Sequence, residues 1–258
     1  RQVSQERLHK ERGGLLVGRD AVRVMDEFFD VLCVILPELA PLRGFEQYNP
    51  HHRSDVWQHT LRVVEGVPAQ EPLRLAALLH DVAKPDTFCF DKNLVGHFPG
   101  HDIAGAAVAE HILKRLHCDS RTVREVTELI RQHMRPLQPV TERSMRRLLA
   151  ALGPEQARRL LILRQADRMG KGTEDETALR AQAAQAEALL DALLAEDACF
   201  SLRQLAVTGR DLIALGIAPG KRLGRILDAL LQAVIAGTLP NERVALCAAA
   251  CDFAQNIR

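Results

Sequence analysis

The stretch Leu78-Leu79-His80-Asp81-Val82-Ala83-Lys84-Pro85 constrains this chain more than any other. Residues 73–79 are apolar apart from Arg74, and the run then gives way to an imidazole, a carboxylate, an ammonium and a proline. The pattern predicts a buried helix, opened by Pro72, that delivers two adjacent metal ligands of different hardness to the rim of a core. Pro85 is expected to stop that helix, because proline lacks the N–H and its ring clashes with the preceding turn. Lys84 is expected to remain near the rim as a mobile positive charge.

One His-Asp pair is weak on its own, and His101-Asp102 is a second. The first gains weight from partners at helix-scale separations. His59, His80, Asp81, His101, His133 and Asp167 follow one another at gaps of 21, 1, 20, 32 and 34 residues. Each then falls on a different helix and points inward, the way helix bundles build metal sites. A single histidine such as His59 is more simply a core residue donating to a carbonyl, so the set carries the reading and no member does. His97, in a predicted flap, and His111, on another helical face from His101, rank behind. His51 and His52 read as loop residues.

The rest of the chain predicts helix almost throughout, an all-α fold. Ala, Leu and Arg are abundant, aromatics reach only 4%, and Val and Ile seldom alternate with polar residues. A net charge of +1 gives no global field for nucleic acid, so any basic face must be local. The six cysteines include no C-x-x-C pair, which indicates neither a zinc ribbon nor a disulfide framework. No apolar run approaches a membrane span and no signal-peptide pattern is present, so a cytoplasmic setting without a membrane is expected. The chain begins with Arg1, as a fragment or a processed chain would.

In order, Ser4 caps a predicted helix over 5–12 ended by Gly13-Gly14. Asp20 caps a second, with Val24, Phe28, Val31, Leu32, Ile35 and Leu36 as its apolar face and Pro37 as its end. Residues 37–52 read as a loop. A helix over 54–65 carries Asp55, His59 and Arg62, with Asp55 and His59 on one face. Residues 86–98, with Asp91-Lys92-Asn93 between short apolar runs, read as a small β-hairpin or an ordered flap, with at most one small β-hairpin in the chain. The helix after Gly100 is rich in small residues and can approach its neighbours closely. Ser120, Thr141 and Gly153-Pro154 start further helices, the last placing Asp167 at a helix end. A long Ala-rich helix runs to about Glu196. Beyond 201 a short helix, a Pro219-Gly220 turn and a new helix place Lys221, Arg222 and Arg225 around free N–H groups, a candidate phosphate cradle. An ordinary helical packing unit fits that segment equally well. A last helix starts at Asn241.

Four imidazoles and two carboxylates suit one or two divalent transition ions (Mn, Fe, Co, Ni or Zn) better than Ca or Mg. Asp81 is the natural bridge between two ions, and a metal-bound hydroxide at neutral pH is a competent nucleophile toward a phosphate ester. Lys84 and Arg135 stand beside proposed ligands and could balance transition-state charge. Arg62 and Lys171, on the helices of His59 and Asp167, join Arg210, Lys221, Arg222 and Arg225 as candidate contacts to a nucleotide or RNA end.

With these residues in view, His59, His80-Asp81 and Asp167 resemble the HD-domain metal-dependent phosphohydrolases. Gly100-His101-Asp102 and Gln132-His133-Met134 are similar to the extra histidines of two-metal members. The resemblance extends further. Residues 3–7 look like the start of the neck of bacterial CCA-adding tRNA nucleotidyltransferases. Gly209-Arg210-Asp211-Leu212, and Pro219-Gly220-Lys221 through Pro240-Asn241-Glu242-Arg243, resemble the C-terminal region of those enzymes that carry an HD domain. The resemblance implies a neck-like segment over 1–50, an HD domain over 51–172 and a helical tail over 173–258. It also implies hydrolysis of phosphoesters of nucleotides or RNA termini: 2′,3′-cyclic phosphates, 2′-nucleotides or phosphomonoesters. The alternative it implies is the tRNA-binding body and tail of a nucleotidyltransferase whose catalytic head is absent or separate. The sequence has no Gly-Ser followed by a D-x-D pair, and Glu174-Asp175 is followed by Ala178 where E-D-x-x-R needs arginine, so nucleotide addition is not predicted.

Overall fold

The computed structural model describes residues 13–50, 53–137, 139–196 and 199–256, and the fold is mostly α with one two-stranded sheet. The predicted helix over 5–12, the neck-like residues 3–7 and the loop histidines His51 and His52 lie outside the described residues. Residues 13–17 are helical, so Gly13-Gly14 does not end a helix. The chain divides into two units, residues 1–136 with 159–183, and residues 137–158 with 184–258.

In the first unit the predicted second helix is two: α1 (Ala21–Glu27) and α2 (Phe29–Ile35), parted at Phe28. The buried stripe is Ala21, Met25, Phe29, Leu32 and Leu36, while Phe28, Val31 and Ile35 face out. The sequence offers two apolar faces here, and Trp57 selects one. Its ring packs 4.5 Å from Phe29, and its Nε1 donates to Asp26 Oδ1 at 2.9 Å. Residues 37–42 form a 3₁₀ turn (Pro37–Leu42) instead of a loop, because Leu39 and Leu42 are both fully buried.

Helix α3 (Val56–Gly66) buries Val56, Trp57, His59, Leu61, Val63 and Val64. Asp55 is its N-cap, with Oδ1 accepting from the Gln58 amide at 2.7 Å and Oδ2 from the Gly44 amide at 2.8 Å. The carboxylate therefore holds the helix start. Helix α4 (Glu71–Leu79) buries six side chains and ends at His80, as its apolar run predicts. Pro85 does not act as a stop. It sits in the first turn of a short α5 (Lys84–Thr87), where its missing N–H costs nothing.

The hairpin is present, as β1 (Cys89–Phe90) antiparallel to β2 (Gly96–His97). Its seat against the loop before α3 is tight. The Gly96 amide donates to the Tyr48 carbonyl at 2.7 Å, and a Cβ on Gly96 would stand 2.2 Å from the Gln47 carbonyl oxygen. Gly96→Ala is therefore expected to lower the stability of the chain by about 1–3 kcal/mol, the usual cost of overpacking. The reading is a fall in urea midpoint at unchanged m-value. An unaltered midpoint would mean that hairpin and loop do not touch this way.

Helix α6 (His101–Arg115) packs its small residues inward, Gly105, Ala106 and Ala109. A Cβ on Gly105 would lie 3.5 Å from the His80 carbonyl, so the close approach expected of this helix is made against the end of α4. Helix α7 (Ser120–Gln132) is capped by Asp119, not Ser120. It buries Val123, Val126, Leu129 and Ile130, each side chain contributing roughly 1.5–3 kcal/mol. Helix α8 (Glu142–Lys171) breaks at Gly153, whose φ of 74° only glycine adopts freely. Asp167 therefore lies within a helix that continues to Lys171, not at its end.

Helix α9 (Glu176–Ala195) follows. The second unit contains α10 (Gly209–Ala214), α11 (Lys221–Ile235) and α12 (Arg243–Asn256). The last begins two residues after the predicted Asn241. Thr208 and Asp211 close a capping box on α10, and Leu212, Ile226, Leu230, Leu246 and Ala250 form the core of this unit.

Candidate metal centre

The six residues singled out by spacing converge in the first unit. His59 comes from α3, His80 and Asp81 from the end of α4, His101 from the start of α6, His133 from the end of α7 and Asp167 from α8. All six are buried. They form two groups of three, His59, His80 and Asp167, and Asp81, His101 and His133. Asp81 joins the two. Its Oδ2 is 3.1 Å from His80 Nε2 and 3.4 Å from His59 Nε2, and its Oδ1 is 3.4 Å from His101 Nε2. On the other side His59 Nε2 is 3.1 Å from Asp167 Oδ1.

Helix ends explain how the rings are aimed. The Nδ1 atoms of His80, His101 and His133 lie 2.8, 2.7 and 2.6 Å from the carbonyl oxygens of Ala77, Phe98 and Ile130, each three residues back. A carbonyl only accepts, so each Nδ1 carries the hydrogen and a neutral ring presents a lone pair at Nε2. His101 Nε2 and His133 Nε2 are 3.2 Å apart. Burial pushes His133 down to about 4, so its ring is neutral at pH 7. Two neutral imidazole acceptors facing each other at that distance repel unless a cation, a proton or a metal ion, lies with them. The donor set and its backbone-fixed tautomers therefore fit a metal ion, and backbone carbonyls behind ligating histidines are the usual support.

The electrostatics agree. Burial alone would raise Asp81 and Asp167, yet the charges of His80 and Lys84 around the first, and the hydrogen bond from His59 with the charge of Lys171 around the second, hold both well below the usual carboxylate range. Burial lowers His59. Burial also acts to lower His80, but the Asp81 carboxylate outweighs it and the net shift is upward. Gly170 leaves room for this packing, since a Cβ there would stand 3.3 Å from the His59 ring.

Lys84 is not the mobile charge expected from the sequence. It is buried, with Nζ 2.7 Å from Asp81 Oδ2 and donating to Gln47 Oε1 at 2.8 Å. Gln47 was invisible in the sequence, because a buried glutamine in a loop has no pattern. Lys171 is the cation that remains at the cleft, 3.1 Å from Asp167 Oδ2. A cavity of about 190 Å³ opens over the centre, lined by Asp81, His101, His133, Asp167, Lys84 and Lys171 together with Asn49, His97, Phe98 and Met134. Arg62 and Arg135 do not line it. Arg62 bonds Ser54 Oγ and the Gly170 carbonyl, and Arg135 reaches Gln132 Oε1 at 3.5 Å. In the second unit Arg210, Lys221, Arg222 and Arg225 are exposed, the last three at the start of α11.

Comparison with known proteins gives the class of the chain. The chain belongs to the family described as tRNA nucleotidyltransferase domain 2, whose profile matches residues 103–250. It is 34% identical over 242 residues to an A-adding tRNA nucleotidyltransferase of Deinococcus radiodurans, covering 88% of this chain and 54% of that protein. It is 35% identical over 248 residues to a CC-adding tRNA nucleotidyltransferase of Thermus thermophilus, covering 91% and 54%. A CCA-adding enzyme of Levilactobacillus brevis is 54% identical over 50 residues, 19% of this chain and 13% of that protein. The chain spans about half the length of the first two relatives. Among the described residues no helix is long and apolar enough to cross a membrane.

Proposed function

We propose that this chain is the RNA-holding body and tail of a tRNA nucleotidyltransferase. What supports the reading is similarity to nucleotide-adding enzymes along about nine-tenths of this chain but only 54% of theirs. Its second unit offers the exposed cations Arg210, Lys221 and Arg225 for a phosphate backbone. Such binding releases counterions, so affinity for a tRNA lacking its 3′ end should fall linearly on a log–log plot against salt. Lys221→Ala and Arg225→Ala should each flatten the slope by about 1. Affinity that ignores salt, or variants with the parental slope, would remove the tail as an RNA contact.

The facing Nε2 atoms of His101 and His133 favour a second, compatible reading: a metal-dependent phosphohydrolase of the HD type, acting on nucleotides or RNA ends such as 2′,3′-cyclic phosphates. A bound divalent transition ion (Mn, Fe, Co, Ni or Zn) supplies Lewis acidity and a water of lowered pKa. Asp81 spans both histidine groups and fixes their spacing. Lys84 neutralises Asp81 and holds it ionised in a buried place. Lys171, at the cavity wall, is placed to meet a phosphate oxygen.

A further inference from the structure

We propose that Tyr48 and Phe90, at the exposed end of a run of rings that starts at the cavity wall, form a stacking shelf that takes the nucleobase of a phosphoester whose phosphate lies at the metal centre. The proposal rests on the phosphohydrolase reading and adds to it which part of the substrate is recognised away from the reacting atom. The chain has ten aromatic residues of the Phe, Tyr and Trp types. Five of them, Phe45, Tyr48, Phe88, Phe90 and Phe98, meet at the hairpin and the loop beside it. Such clustering normally makes core, yet here two rings stay open, Tyr48 at 58% and Phe90 at 49% exposure.

The rings form a continuous path from a candidate ligand to solvent. Phe98 lines the cavity, with its centroid 6.3 Å from the His101 ring. Phe88 lies 5.6 Å beyond Phe98, and Tyr48 and Phe90 lie 6.0 and 4.8 Å from Phe88. Tyr48 and Phe90 are 5.4 Å apart. The shelf is also held in place. Tyr48 adopts a φ of 47°, costly for an aromatic residue, and its carbonyl accepts from Gly96 at 2.7 Å. Its neighbour Asn49 donates to the Gly96 carbonyl at 2.9 Å and itself lines the cavity. Lys171, at the inner end, suits the attached phosphate.

The test is the ratio of affinities of Mn-loaded protein for adenosine 2′-monophosphate and for inorganic phosphate, measured by titration calorimetry. The parental chain should prefer the nucleotide. Tyr48→Ala and Phe90→Ala should each lower the ratio between about fivefold and about a hundredfold, the range of base stacking on an aromatic side chain. Tyr48→Phe should keep it. General loosening of the fold would weaken both ligands together and leave the ratio standing. A ratio unchanged in both alanine variants overturns the shelf alone. Failure of the parental chain to bind either probe overturns the phosphoester reading of the cleft and the shelf with it.

Discussion

Asp81→Ala is expected to remove transition-metal binding at both histidine groups and, with it, any hydrolysis of 2′,3′-cyclic AMP. The expectation follows from the two faces of one carboxylate, Oδ2 toward His59 and His80 and Oδ1 toward His101. Loss of a residue that only supports a ligand typically costs 10–100-fold in metal affinity, so loss of the shared ligand should cost at least about a hundredfold. His101→Ala touches one group and should spare the other, which makes the pair of variants a test of bridging. The fold should also weaken. Lys84 keeps its buried ammonium without its carboxylate, and a buried charge stripped of its partner costs about 3–5 kcal/mol. Asp81→Asn, of the same shape, separates the two effects, since its amide oxygen can still accept from Lys84. Metal content measured after dialysis, with turnover in the same samples, decides the matter. Parental metal content in Asp81→Ala would end the two-group assignment.

The convergence of the six candidates was legible because four of them, His80, Asp81, His101 and His133, sit at helix boundaries, which one-dimensional pattern records well, whereas His59 and Asp167 lie within helices. The hairpin announced itself through Asp91-Lys92-Asn93 between apolar pairs. What pattern could not record is partner choice. Val31 and Leu32 are both branched and apolar, yet Leu32 is buried and Val31 exposed, a choice made by what packs against the helix. Lys84 looked free because the sequence cannot show that Gln47, 37 residues earlier, waits at 2.8 Å. Pro85 looked like a stop because the same residue serves equally in a first turn. Asp55 shares a helical phase with His59, but its backbone lies just outside the helix, where a carboxylate caps.

The second large effect is a pH dependence of the metal-free chain, because His133 and His80 are shifted in opposite directions. Burial places His133 at about 4 against an ordinary 6.5. Above pH 6.5 the ring is neutral folded or unfolded, and its contribution is complete. Below 6.5 the unfolded chain binds a proton that the folded chain refuses, so stability is lost as pH falls toward 4. One pKa unit is worth about 1.4 kcal/mol, so the loss from this ring alone is roughly 2 kcal/mol between pH 6.5 and pH 5. His59, also lowered by burial, adds in the same direction. His80 runs the other way. Its folded pKa is raised by Asp81, so its contribution is whole below 6.5 and fades as pH rises through the folded value. Urea unfolding of chelator-treated protein should therefore show lower stability at pH 5 than near neutrality. His133→Gln should flatten the acid limb by removing the neutral ring that protonation penalises. A metal ion competes with the same protons, so its affinity should rise with pH and its binding should release protons. Calorimetry in buffers of different ionisation enthalpy counts them. An acid limb equally steep in His133→Gln would show that the buried His133 ring is not what the acid titrates.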